Sequence, residues 1–266
     1  MLIGLVSAKG SPGVTVSALA LAMSWHRPVL LAECDPAGGA VAAGLLRGEV
    51  ALAGRGVLRV STAARRGDDV VAELERNLFA LDDAGRLLWL PGLEDPARAP
   101  LLGEVGERLA AAFTDLDDVA GADVLADCGR LSAAASAFPL LRAAALTLLV
   151  VRPSVVSVHP AAGWVGQLTR ELPASRLGVL VVGAGAYRPA EVAAAVRLPV
   201  VGTLPDDPGS AAALAAGAGL ARPGAPLLAA AADAAQRIGK VATAGMSWPA
   251  HQTAGLAARA GMGVRR

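Results

Sequence analysis

The chain of 266 residues is 54% hydrophobic, 18% charged and 3% aromatic, with a formal net charge of +1. Such a composition excludes an intrinsically disordered chain and gives no global attraction to nucleic acid or membrane. The two cysteines, Cys34 and Cys128, are too few to frame a disulfide scaffold and fit a reducing compartment.

In chain order, apolar runs rich in Leu, Val and Ile predict strands at Leu2–Ser7, Val29–Cys34, Leu87–Leu90, Val124–Asp127, Leu146–Val151, Leu177–Val182 and Val200–Leu204. They are continuous rather than alternating, as in strands buried on both faces of a parallel sheet. Helices are predicted between them at Thr15–Trp25, Leu101–Phe113, Ser132–Ala144, Ser157–Glu171, Pro189–Val196 and Ser210–Ala218, with a last one at Pro226–Ile238. This alternation predicts a doubly wound, mostly parallel α/β sheet, whose ligands bind at the carboxyl ends of the strands. Residues 47–86 carry the weakest pattern, and the stretch RRGDDVVAELERN within them reads as a surface helix.

The longest apolar run, Ala133–Val151, contains Pro139 and Arg142, so it reads as a helix feeding a strand rather than a membrane span. The opening MLIGLVS lacks the basic region of a signal peptide, and a cytoplasmic protein is expected. One domain is expected over 1–239. Residues 240–266 carry Lys240, Arg259, Arg265 and Arg266 and no acid, and read as a basic, flexible tail that a membrane or DNA could attract.

The first predicted strand runs into SAKGSPGVTVSALALA. A strand, a glycine-containing turn and a helix opening at Thr15 form the layout of a phosphate-binding loop, because the N–H groups and dipole of a helix N-terminus attract anions. The N–H groups of Gly13, Val14, Thr15 and Val16 are the candidates, and Thr15 can cap the helix or place its hydroxyl on Mg²⁺. Of 24 basic residues only Lys9 and Lys240 are lysines, so one of the two sits in this loop. An ammonium is a usual point-charge partner of a phosphate. An ordinary βα turn punctuated by Gly and Pro remains the alternative.

Ala8 to Thr15 (AKGSPGVT) resembles the deviant Walker A loop, GKGGxGKT, of the ParA/MinD family of ATPases. The resemblance implies a P-loop NTPase of the SIMIBI type that binds ATP and Mg²⁺ and forms a nucleotide-dependent homodimer. Lys9 matches the lysine that reaches the partner's nucleotide, and Gly10, Gly13 and Thr15 match its glycines and its Mg²⁺-binding threonine. Ala8 and Ser11 replace glycines, and Val14 takes the place of the lysine that contacts the β- and γ-phosphates, which implies slow hydrolysis at best.

Further motifs follow in the family's order. Leu30–Gly39 (LLAECDPAGG) looks like the element whose aspartate before proline polarises the attacking water; Asp35 matches it, and Glu33 stands in for the first acidic residue. Alternatively, Asp35 only starts an Asp-Pro turn. Ala122–Gly129 (ADVLADCG) resembles a Walker B strand, implying that Asp127 holds Mg²⁺ through water, with a helix N-cap as the bland reading. Thr147–Ser154 looks like the VxxPS strand, and Val200–Asp207 (VVGTLPDD) like the GxIPxD segment, which implies Pro205 near the adenine. The asparagine expected after the preceding strand is missing from Val182-Gly183-Ala184-Gly185.

The resulting expectation is a dimerising switch that positions or partitions a cellular cargo through a protein partner, cytoplasmic or peripheral to membrane or nucleoid. The alternative is a non-catalytic scaffold similar to the TadZ/CpaE proteins, which position pilus and secretion machinery. Cys34 and Cys128 are expected to be small buried hydrophobes.

Overall fold

Buried apolar runs and the glycines between them build a single eight-stranded sheet with helices on both faces. The structure, a computed structural model, describes residues 1–9, 12–132, 137–217 and 224–244. The strands are β1 (Leu2–Ser7), β2 (Val29–Glu33), β3 (Phe79–Ala80), β4 (Leu87–Leu90), β5 (Asp123–Arg130), β6 (Leu146–Val151), β7 (Leu177–Val182) and β8 (Val200–Leu204). Their order is β3-β4-β2-β5-β1-β6-β7-β8. Every pairing is parallel except the short β3 against β4. Chain direction across the sheet changes at β1, with β5 on one side and β6 on the other, the switch point where ligands of open α/β sheets bind.

Alternation along each strand sends side chains to two separate cores. On one face, Val6, Cys34, Val124, Cys128 and Val179 pack under α5 (Gly106–Ala120) and α7 (Val155–Glu171), with Phe113 fully buried. On the other, Ile3, Leu5, Leu31, Leu125 and Leu148 pack under α1 (Val14–Met23) and α10 (Pro226–Ala244). Each large side chain removed from water in this way contributes about 1.5–3 kcal/mol before entropy is counted. The two thiols are free and lie side by side in the first core, beyond the paired residues Glu33 and Asp127 of β2 and β5.

The remaining helices are α2 (Val57–Arg66), α3 (Val70–Asn77), α4 (Pro100–Glu104), α6 (Phe138–Ala143), α8 (Pro189–Val196) and α9 (Pro208–Ala216). RRGDDVVAELERN does not form one helix: Gly67, at φ 86°, ends α2, and Asp69 then caps α3 by accepting from the Ala72 N–H. The expected helix at Leu101–Phe113 is divided at Val105 and continues to Ala120, where Gly121 in the left-handed region stops it. Of the helix expected at Ser132–Ala144, the described part is Phe138–Ala143; residues 133–136 lie outside the described set.

The strand expected to end at Asp127 continues to Arg130. The last helix continues to Ala244, past the Lys240 where a tail was expected, and 245–266 lie outside the described residues. Among the described residues, no helix is long and apolar enough to cross a membrane.

Candidate functional site

Three segments meet at the carboxyl edge of the sheet: the loop from β1 into α1, the turn after β2 and the end of β5. Gly13 adopts φ 90°, ψ 41° immediately before α1, a conformation that favours glycine. No side chain caps α1 and no acidic residue lies in its first turn. The backbone N–H groups of Val14, Thr15 and Val16 belong to the first turn, where an α-helix has no internal acceptors for them. Lys9 is exposed beside this helix end, whereas Gly10 and Ser11 lie outside the described residues. The Val14 side chain is buried in the α1 core, so only its backbone faces the loop.

Thr15, half-buried, lies near enough to the Asp127 carboxylate for its hydroxyl to favour the charged form. Asp127 is itself 2% exposed, and its Oδ1 accepts from the Gly129 N–H at 3.0 Å. Burial pushes its pKa up to about 7; Thr15 and the Gly129 N–H pull against that shift, while Asp35 and Glu33 add to it. A buried carboxylate with so few donors is short of positive charge.

Asp35 follows β2 and accepts from the Ala37 N–H at 2.8 Å, which fixes the turn. Its carboxyl presses on Gly129, where an added Cβ would lie 2.0 Å from Oδ2. Partial burial raises the Asp35 pKa, and the Ala37 N–H and the charge of Arg130 oppose the rise.

The donor set suits Mg²⁺. That ion takes hard oxygen ligands, usually one or two from protein with the rest from phosphate and water. Asp127 and Thr15 supply such oxygens; among the described residues no three His, Cys, Asp or Glu side chains converge as a metal cluster, here or at another place. The thiols of Cys34 and Cys128, buried below the site, are driven further from ionisation by desolvation and by the neighbouring carboxylates.

Thr15, Val16, Asp35 and Asp127 are thus brought together around the end of α1. Pro205 is not: it follows β8, three strands from β1, a lateral distance of about 14 Å at ordinary strand spacing. Near it, a Cβ on Gly183 would meet Arg152 Nη1 at 3.1 Å and Asp206 Oδ1 at 3.6 Å.

Glu33, matched by sequence to the first acidic residue of the motif after β2, has a closed set of partners. Its Oε1 accepts from the N–H groups of Ala40 and Val41 at 2.6 and 2.9 Å. Its Oε2 accepts from Trp89 Nε1 and the Gly92 N–H at 2.9 and 3.1 Å. All its acceptor directions are used to hold the loops after β2 and β4. Arg130, which the sequence reading passed over, is the residue that structure adds; a basic side chain three positions after a Walker-B-like aspartate was the available signal.

Among solved structures, the chain is similar to the septum site-determining protein MinD complexed with Mg-ADP from Pyrococcus horikoshii. Identity is 19%, with 91% of this chain and 96% of that one covered and a TM-score of 0.68. A ParA family ATPase from Chlorobium tepidum matches at 19% identity over 88% and 98% of the two chains, with a TM-score of 0.68. A complex of a McdA variant with ATP, from Cyanothece, matches at 16% identity over 93% and 98%, with a TM-score of 0.65. No family model and no curated protein matches the sequence. The architecture is the ParA/MinD P-loop NTPase fold.

Proposed function

We propose that the chain is a nucleotide-dependent dimerising switch of the ParA/MinD type, binding ATP with Mg²⁺ and hydrolysing it slowly to position a cellular cargo. The observation that carries this reading is the Thr15–Asp127 pair under the uncapped N-terminus of α1, with Asp35 beside it. Proteins of the same fold have been captured with Mg-ADP, with AMPPNP and, for MinD, with MinC. A bound Mg²⁺ would neutralise phosphate charge and supply the positive charge that Asp127 lacks.

The chain's own groups have separate tasks in this reading. The N–H groups of Val14, Thr15 and Val16 bind phosphate oxygens at the positive end of α1. Asp127 and the Thr15 hydroxyl hold the cation. Asp35 orients water and accepts its proton, for which a carboxyl raised by burial is a better base. Exposed Lys9 reaches a second copy, and Pro205 borders the base. The basic end of the chain, Lys240 in the last turns of α10 with Arg259, Arg265 and Arg266 after it in sequence, is the proposed contact with an anionic membrane or DNA, making the protein peripheral to one of them.

Buried Val14 favours a second reading, the non-catalytic TadZ/CpaE-like scaffold, because the loop lacks the ammonium that speeds phosphoryl transfer. Titration with nucleotide, with and without Mg²⁺, followed by light scattering, is expected to show ATP-dependent dimers. A chain that stays monomeric at millimolar Mg-ATP contradicts the switch. Val14→Lys, confirmed folded by circular dichroism, separates the two readings: a large gain in hydrolysis marks an otherwise intact site, and no gain favours the scaffold.

A further inference from the structure

The loop after β1 has Val14 where the motif it resembles has a second lysine, and the strand beside it ends in a cation. Arg130 ends β5 in register with Ser7 at the end of β1, so its backbone lies directly alongside the start of the loop. A shift of register between Leu5 and Ser7 and the left-handed Gly129, at φ 62°, lead the strand into this position. The Ser7 hydroxyl also reaches the Gly129 carbonyl, at 3.5 Å.

The Arg130 side chain is exposed and its charge acts on the Asp35 carboxylate. Among the described residues, however, its guanidinium forms no ion pair or hydrogen bond. Other arginines are engaged differently: Arg27 is bonded to Asp117 and Asp123, and Arg142 to Glu107 and Glu171. Arg152, another cation at this edge, lies against Gly183 on the β7 side. A guanidinium held near a carboxylate without pairing to it leaves its donors directed at whatever anion enters between them.

We propose that Arg130 is the phosphate-binding cation of this site, supplying from the end of β5 the charge that Val14 cannot supply from the loop, and that its ligand is the terminal phosphate of a nucleoside triphosphate. The inference rests on the nucleotide-binding reading above. Placement selects the terminal phosphate: Arg130 lies three residues beyond Asp127 on the same strand, and its charge acts on Asp35, the residue assigned above to the attacking water. The planar fork of arginine matches phosphate oxygens in pairs, and its charge persists beside other cations.

Calorimetric titration of the full chain with Mg-ATP and Mg-ADP tests the assignment, using Arg130→Gln and Arg130→Lys alongside the wild type. Thermal melts check that the exposed substitutions leave the fold intact. Arg130→Gln is expected to weaken ATP binding about 10-fold or more and ADP binding clearly less, since charge-assisted hydrogen bonds to a third phosphate are lost. Arg130→Lys should keep most of the ATP affinity. Equal ATP affinity in wild type and Arg130→Gln, or equal losses for ATP and ADP, would overturn the proposal while leaving nucleotide binding standing. Wild-type protein that binds neither nucleotide would overturn both.

Discussion

Two positions of β5, Asp123 and Asp127, carry the same residue at nearly the same burial and treat it in opposite ways. Asp123, at the amino end, is 0% exposed and surrounded by donors: Trp25 Nε1 at 2.9 Å, Arg27 Nη1 at 2.9 Å and the Met1 ammonium at 2.8 Å. Asp127, four residues further along, is 2% exposed and among the described residues accepts from the Gly129 N–H, with the Thr15 hydroxyl beside it. One carboxylate is closed by the fold itself. The other is buried without a counter-charge, which a structure tolerates where a ligand completes the set. Burial alone therefore does not distinguish a structural acid from a working one; the completeness of its donor shell does.

The comparison breaks most visibly at Asp123. Replacing it with alanine strands the Trp25 N–H and removes a counter-charge from Arg27 and the Met1 ammonium, although Asp117 still pairs with both. Breaking a buried pair from one side costs about 3–4 kcal/mol even with that partial rescue. Urea denaturation of Asp123→Ala reads this directly. A loss below about 1 kcal/mol would mean that the amino end of β5 is held by its apolar neighbours and not by this cluster.

Which position does which was only half legible in the sequence. Thr15, Asp35 and Asp127 could be found because each lies within three residues of an element's boundary, and an order of local motifs survives in one dimension. The strands were legible for a similar reason, since burial on both faces leaves uninterrupted apolar runs. The partners of Asp123 come from residues about 100 positions away, and those of Glu33 from both Ala40 and Gly92, so neither closure has a local signature. Arg130 was missed because its place depends on a register shift and on the turn at Gly129. The breaks at Gly67 and Val105 had local signals that the reading passed over: Gly67 before the capping Asp69, and the glycines Gly103 and Gly106 on either side of Val105.

Asp127 gives the next largest effect, with the opposite sign. Folding raises this carboxyl from its ordinary 3.8 to about 7. Between those values the folded chain binds more protons than the unfolded one, so the contribution of Asp127 to stability declines as pH rises through that window. Asp127→Asn keeps the shape and cannot ionise. It is expected to match the wild type near pH 4 and to exceed it by about 3 kcal/mol at pH 8 in the absence of ligand. Denaturation midpoints across that range check the divergence, and saturating Mg-ATP should shrink it for the wild type by restoring a counter-charge. Parallel pH profiles for the two proteins would place Asp127 in the closed class with Asp123.

Glu33 makes the comparison finest, because it sits beside Asp127 in register and yet resembles Asp123 in having a full shell. Glu33→Gln retains the outline but offers one acceptor oxygen where four N–H donors converge, and its amide turns two hydrogens toward Trp89 Nε1 and the Gly92 N–H. Removing the buried charge recovers some desolvation, so the net loss should be about 2 kcal/mol, smaller than at Asp123. Trp89 reports the change independently: its indole N–H loses a charged acceptor, and its fluorescence should shift while the apolar packing around it persists. If Glu33 instead belongs to the working site, Glu33→Gln will leave stability and Trp89 emission unchanged and alter nucleotide binding. A closed shell predicts the reverse order, with stability and emission moving first and binding following only as far as the loop carrying Asp35 loosens.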